Sequence, residues 1–171
     1  MTARYRFYVA LGSNLDDRIA LIEAAIARLA ALDETTLAAR ASIWETRPVG
    51  PGTGPYLNTA VALDSATEPH AMLEQLATIE SELGRVRRVR WGDRRIDLDL
   101  IAGFDASGAE LEVADERLSL PHPRVHERDF VLQPLVELEP ELRVGGRRCS
   151  DSLSALTADE RTLVGVLAAV R

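Results

Sequence analysis

The chain predicts an α+β domain built on an antiparallel sheet in the order β-α-β-β-α-β, on three observations. Four short segments are continuously apolar or alternate apolar and polar, whereas two longer ones carry apolar residues at helical spacing. These six segments interleave in the ferredoxin-like order, which places both helices on one face of the sheet. The 171 residues, 46% apolar and 27% charged, suffice for one domain over 1–171 with its own core.

Taken in order, Tyr5 to Leu11 is an apolar, aromatic-rich run that reads as a buried strand. It closes at the turn signal Gly12-Ser13-Asn14, and Asn14 or Asp16 is expected to cap the helix that follows. In that helix Ile19, Ile22, Ile26, Leu29 and Leu32 share one face. Leu37 to Trp44 is the second strand. Glu45 to Pro55 holds three prolines and three glycines, and loops of this length in small domains are often lids.

Tyr56 to Leu63 is the third strand. Tyr56, Asn58, Ala60 and Ala62 point one way, and Leu57, Thr59, Val61 and Leu63 the other. Thr67 is the expected cap of a second helix with Pro69 in its first turn. Met72, Leu76, Ile79, Glu80 and Leu83 follow its period, and Gly84 stops it. Ile96 to Ala102 is the fourth strand. The last third predicts additional helices and short strands: a strand near Leu111 to Val113, a polar loop over Ser119 to Arg124, and a helix within Phe130 to Leu138 with Pro134 near its start. Apolar material from Leu153 to Val170 is expected to cover the sheet.

The charge balance limits function. A net charge of −7 argues against general nucleic-acid or membrane affinity. All twenty basic residues are arginine, which excludes a Schiff-base lysine and a P-loop lysine. Cys149 is the only cysteine, and the apolar run after Arg4 and Arg6 is too short for a signal-peptide core, so a cytoplasmic location is expected.

Against that acidic background, Arg85 to Asp99 concentrates Arg85, Arg87, Arg88, Arg90, Arg94 and Arg95, with Trp91 among them, ahead of Asp97 and Asp99. Guanidinium forks match phosphate oxygens, and paired carboxylates match magnesium. Asp97 and Asp99 lie two apart on a strand whose other face is Ile96, Leu98 and Leu100, so both acids emerge together. The stretch suggests a site for a magnesium–nucleotide polyphosphate. Salt-bridged surface charge is the plain alternative, and Trp91 is equally able to stack on a base, cover the site or anchor the loop. His122 and His126 lack the helical spacing of a zinc site, with Pro123 between them, so His122 and Arg128 read more naturally as nucleotide contacts.

Several separated stretches together resemble the 6-hydroxymethyl-7,8-dihydropterin pyrophosphokinase family: Ala10-Leu-Gly-Ser-Asn-Leu15, Glu45-Thr-Arg-Pro-Val-Gly-Pro51, Tyr56-Leu-Asn-Thr-Ala60, Ile79-Glu-Ser-Glu-Leu-Gly-Arg85, Arg90-Trp-Gly-Asp-Arg-Arg-Ile-Asp-Leu-Asp99, Leu120-Pro-His-Pro-Arg124 and Glu127-Arg-Asp-Phe-Val-Leu132. The resemblance implies diphosphate transfer from ATP to the pterin hydroxymethyl oxygen in folate biosynthesis, with AMP as the second product. It implies two magnesium ions on Asp97 and Asp99, and catalytic roles for Arg85, Arg94 and Asp97. The pterin would lie between Tyr56 and Phe130, with Asn58, Thr46, the Val49 backbone and Trp91 completing its pocket. Glu80, Arg87, Arg94, Arg117, Ser119, His122 and Arg128 would take ATP. The expected partners are these two substrates, without nucleic acid or membrane, and a monomer is expected.

Two residues depart from the family pattern: Asp93 and Arg47 stand where proline is common. The rival readings are an RNA-binding module that uses the arginine loop and a different magnesium-dependent kinase on the same scaffold. Independence from Asp97 and Asp99 would mark the first, and ADP instead of AMP the second.

Overall fold

The computed structural model describes residues 4–48, 54–84 and 95–168. Its main sheet is antiparallel throughout. Its strands are β1 (Tyr5–Ser13), β2 (Thr35–Arg40), β3 (Ile43–Thr46), β4 (Tyr56–Ser65), β5 (Asp97–Asp105) and a late strand, Leu163–Ala168. The order is late strand, β3, β4, β1, β5, with β2 also paired to β4. Counting β2 and β3 as the expected second strand, the path runs fourth, first, third, second, which is the ferredoxin-like arrangement.

The expected second strand is broken. Arg40 pairs with Val61, but Trp44 pairs with Asn58, so one extra residue is absorbed around Ala41 and Ser42. Glu137 holds the break by accepting from both the Ser42 backbone N–H, at 3.0 Å, and the Ser42 hydroxyl. That partner lies 95 residues away, so no local pattern announces it.

Helices α1 (Arg18–Ala30) and α2 (Pro69–Glu82) cover one sheet face. Ile22, Ala25, Ile26, Leu29, Met72, Leu76 and Ile79 pack there against Phe7, Val9, Leu11, Leu57, Val61, Leu63, Leu98 and Leu100. Neither expected cap is used. Asp17 caps α1, its carboxylate accepting from Ala20 N–H at 3.0 Å, and Asp16 instead takes a positive φ of 57°. At α2, Pro69 presets the first helical residue, so the cap position falls on Glu68 and not on Thr67.

The opposite face carries α3 (Asp129–Leu138) and α4 (Cys149–Ala155). Val131, Leu132, Leu135 and Cys149 pack on Tyr8, Ala60, Ala62, Ile101 and Ala102. Between β5 and α3 run β6 (Val113–Ala114), β7 (Ser119–Leu120) and a turn of 3-10 helix; β8 (Arg143–Val144) and β9 (Arg147–Arg148) form a hairpin. Pro134 sits inside α3, not near its start, so the bond it cannot donate is the one toward the Phe130 carbonyl.

The segment expected to cover the sheet does so only in part. Leu153 and Leu156 pack on this second core, but Leu163–Ala168 becomes β10, which extends the sheet beyond β3. Val164, Val166 and Leu167 are exposed there. Hydrogen bonds to Asp129, described below, fix the start of that strand and override its apolar composition.

Candidate active site

The site follows from the sheet register. Gly12 of β1 is flanked by Asn58 of β4 on one side and Asp97 of β5 on the other; two residues along, Ala10 lies between Ala60 and Asp99. All six therefore belong to the face that carries α3 and α4. Those helices cover the Ala60 and Ala62 end and stop short of the Asn58 and Asp97 end. The uncovered part is the floor of a cavity of ≈ 450 Å³.

Into this cavity converge Thr46, Tyr56, Asn58, Asp97, Asp99, His122, Arg128 and Phe130, all expected from the sequence. The buried Asn58 donates from its amide nitrogen to the Thr46 hydroxyl at 2.7 Å, which orients the amide. A Cβ on Gly12 would lie 3.0 Å from Asn58 Oδ1, so the row tolerates little more than hydrogen at that position. Phe130 stands at the start of α3, and the Arg128 guanidinium lies over its ring at 5.7 Å. The neighbouring Asp99 and Asp97 favour the charge on Arg128, whereas burial and Arg124 work against it and lower its pKa.

His122 is anchored to the acid-bearing strand, its backbone N–H donating to the Ile101 carbonyl at 2.8 Å. Its Nδ1 accepts from Arg124 N–H at 3.1 Å, so in the neutral ring Nε2 carries the hydrogen. Burial, then the charges of Arg128 and Arg124, lower its pKa. Both effects favour the neutral form, in which Nε2–H is the donor.

Asp97 and Asp99, about 7 Å apart along the strand, supply two carboxylates on one face. Among the described residues no group of three or more His, Cys, Asp or Glu could enclose a metal ion by itself. Two carboxylates whose remaining coordination comes from phosphate oxygens and water are the donor set that suits magnesium, which retains waters and shares substrate ligands. The donor chemistry therefore fits.

Three expected residues lie elsewhere. Glu80 is buried on α2 and accepts the Leu98 N–H at 2.6 Å, so it holds the strand between the two aspartates and does not line the cavity. Arg117 reaches Glu74 of α2 at 2.6 Å on the surface, and Ser119 is exposed in β7. Arg85, Arg87, Arg94, Trp91, Val49 and Asp93 lie outside the described residues.

The cavity also has walls that sequence reasoning missed: Arg124, Glu127, Asp129, Asp159, Glu160 and Thr162. Arg124 and Glu127 are ion-paired at 2.8 Å. Asp129 is completely buried, and its carboxylate accepts from the Thr162 N–H, the Thr162 hydroxyl and Leu163 N–H. An acid directly before Phe130 was the available signal, but its partners stand 33 residues away.

Comparison with known proteins shows the family. The family model described as 7,8-dihydro-6-hydroxymethylpterin-pyrophosphokinase matches residues 8–140. The chain is 44% identical over 152 residues to the 2-amino-4-hydroxy-6-hydroxymethyldihydropteridine pyrophosphokinase of Methylorubrum extorquens, covering 88% of this chain and 93% of that one. The protein of the same name from Haemophilus influenzae is 34% identical over 157 residues, covering 91% and 95%. Among solved structures, wild-type Plasmodium falciparum HPPK-DHPS with pterin and p-hydroxybenzoate superposes with a TM-score of 0.67 at 12% identity. That match covers 90% of this chain and 43% of the longer one, and it speaks to the fold alone.

Proposed function

The chain belongs to the 7,8-dihydro-6-hydroxymethylpterin-pyrophosphokinase family, and we propose that the open end of its sheet is where the pterin hydroxymethyl oxygen takes a diphosphate from ATP, leaving AMP. The observation that carries this reading is the row Asn58–Gly12–Asp97, which sets a tethered amide and a metal-type carboxylate side by side in one cavity.

Each group then has a task that its position supports. Asn58, oriented by Thr46, reads the amide edge of the pterin through complementary donors and acceptors. Tyr56 and Phe130 take the two faces of the ring. Arg128, half-buried and close to both aspartates, and the neutral Nε2–H of His122 meet polyphosphate oxygens. Asp97 and Asp99 would hold the magnesium, two ions on this reading, and the metal would supply neutralisation of the polyphosphate charge. Asp97 is also the candidate to orient the attacking hydroxyl, by accepting its hydrogen bond. On the family resemblance alone, Arg85, Arg87 and Arg94, outside the described residues, are assigned to the phosphate grip, and Arg117 and Ser119, outside the cavity, to an outer nucleotide contact. Catalysis on this reading is chiefly positioning and charge neutralisation, as in other phosphoryl transfers.

A monomer is the proposed working unit. Among the described residues no helix is long and apolar enough to cross a membrane. The buried, unpaired Cys149 suits a reducing compartment, and the cytoplasm is the proposed location.

The test is product analysis with magnesium, ATP and 6-hydroxymethyl-7,8-dihydropterin. AMP and the pterin diphosphate should form in equal amounts, and ADP would refute diphosphate transfer. Asp97→Asn and Asp99→Asn should each lower turnover at least about a hundredfold; normal rates in both would remove the metal assignment.

A further inference from the structure

Thr162 has no place in the reaction above, yet each of its polar groups is committed across the cavity. Its N–H and hydroxyl donate to the carboxylate of Asp129, the residue just before Phe130. Its carbonyl accepts from the backbone N–H of Arg47, the residue just after Thr46, at 2.8 Å. Leu163 N–H adds a third bond to Asp129 at 2.9 Å, and the Arg47 guanidinium donates to the Arg161 carbonyl.

We infer that Thr162 is a positioning residue: it braces the wall that carries Phe130 against the wall that carries Thr46, Asn58 and Tyr56, and thereby sets the width of the acceptor slot. The inference rests on the pterin reading of that slot. The geometry is specific to this task. Asp129 is completely buried in the first turn of α3, where the helix N-terminus favours a negative charge. With three donors on one buried carboxylate, the α3 end of the brace is held by charge-assisted bonds. At its other end, the Arg47 N–H bond continues the β3–β10 ladder one step past the Thr46–Leu163 pair. The C-terminal segment is therefore part of the binding site, and Phe130 is placed through Thr162 as well as through its own helix.

The experiment uses the full chain. Thr162→Val removes the hydroxyl and keeps the shape. Arg47→Pro removes the N–H that Thr162 accepts, while Arg47→Ala keeps that N–H and loses only the guanidinium. Thr162→Val and Arg47→Pro should raise the KM for the pterin, and its Kd by calorimetry in the presence of a non-hydrolysable magnesium-ATP analogue, about tenfold. The KM for ATP should stay within about twofold, and Thr162→Ser should restore the unaltered value. Arg47→Ala should change pterin binding less than Arg47→Pro. An unchanged pterin KM in Thr162→Val overturns the brace, as does a parallel loss for both substrates that tracks a lowered Tm. Failure of the unaltered chain to bind the pterin at all would instead overturn the reading on which the brace depends.

Discussion

The two faces of the sheet are written by the same three strands, one residue out of phase. On the face under α1 and α2, β1, β4 and β5 present Val9 and Leu11, Leu57 and Val61, and Leu98 and Leu100, all but sealed from solvent. On the other face the same strands present Ala10 and Gly12, Asn58 and Ala60, and Asp97 and Asp99. One face has the branched volume that fills a core. The other has small residues to make room and polar ones to use it. Stability and chemistry are thus assigned to alternate residues of the same backbone.

The division can be broken at several points. Asp99→Asn, on the open face, should have the largest effect, at least about a hundredfold on turnover. Thermal unfolding of the metal-free protein should shift little, because relief of the like charge on Asp97 opposes the loss of attraction to Arg128. Leu98→Ala, its immediate neighbour on the closed face, should do the reverse. It should cost about 2–5 kcal/mol in denaturant titration, with the activity of each folded molecule retained. Gly12→Ala sharpens the boundary: its new Cβ would crowd Asn58 Oδ1 from 3.0 Å, at a cost of about 1–3 kcal/mol in pterin binding, stability or both. Selective loss of pterin affinity would show that the amide, tied to Thr46, is what gives way.

Smaller effects test the groups around the cavity. Burial and the adjacent arginine charges lower the His122 pKa, so the unfolded chain takes up this proton before the folded one. Stability should therefore fall as pH drops below about 6.5 and until the lower folded value is passed. Denaturation of the metal-free protein across that range should give a shallower loss in His122→Gln. Smallest of all, burial pushes the Cys149 thiol up to about 11, so an alkylating reagent at neutral pH should leave the native protein unmodified and label it only on unfolding.

What the sequence disclosed follows the same logic. Helical spacing in α1 and α2 and alternation in β4 and β5 are local, so the sheet, its helical layer and the direction of Asp97 and Asp99 could all be read from it. Residues whose place depends on distant partners could not. The break at Ser42 needs Glu137, β10 needs Asp129, and the role of Glu80 needs the Leu98 N–H. Thr46, Tyr56, Asn58 and Phe130 were named through motif resemblance, His122 and Arg128 already from the pattern around Pro123, and the structure gathers all six around one cavity. Thr162, Asp159 and Glu160 come from a stretch with neither period nor motif, so nothing local marked them. Arg117 is a subtler case: it lies in none of the matching stretches and was assigned by the overall resemblance, and the structure turns its side chain toward Glu74.

The row Asn58–Gly12–Asp97 also works as a ruler. Its two ends are separated by the single strand β1, and strands in a sheet lie 4.7–4.9 Å apart, so the span is about 10 Å. On the proposed function, an acceptor must present its recognised edge at one end and its reactive oxygen at the other. A molecule much shorter than the row would satisfy Asn58 or reach Asp97, but not both. Because the length is set by the backbone hydrogen-bond ladder, side-chain substitutions can change which edge is read, while the distance stays fixed unless another strand is inserted. Selection by length would therefore be among the last properties of this enzyme to drift.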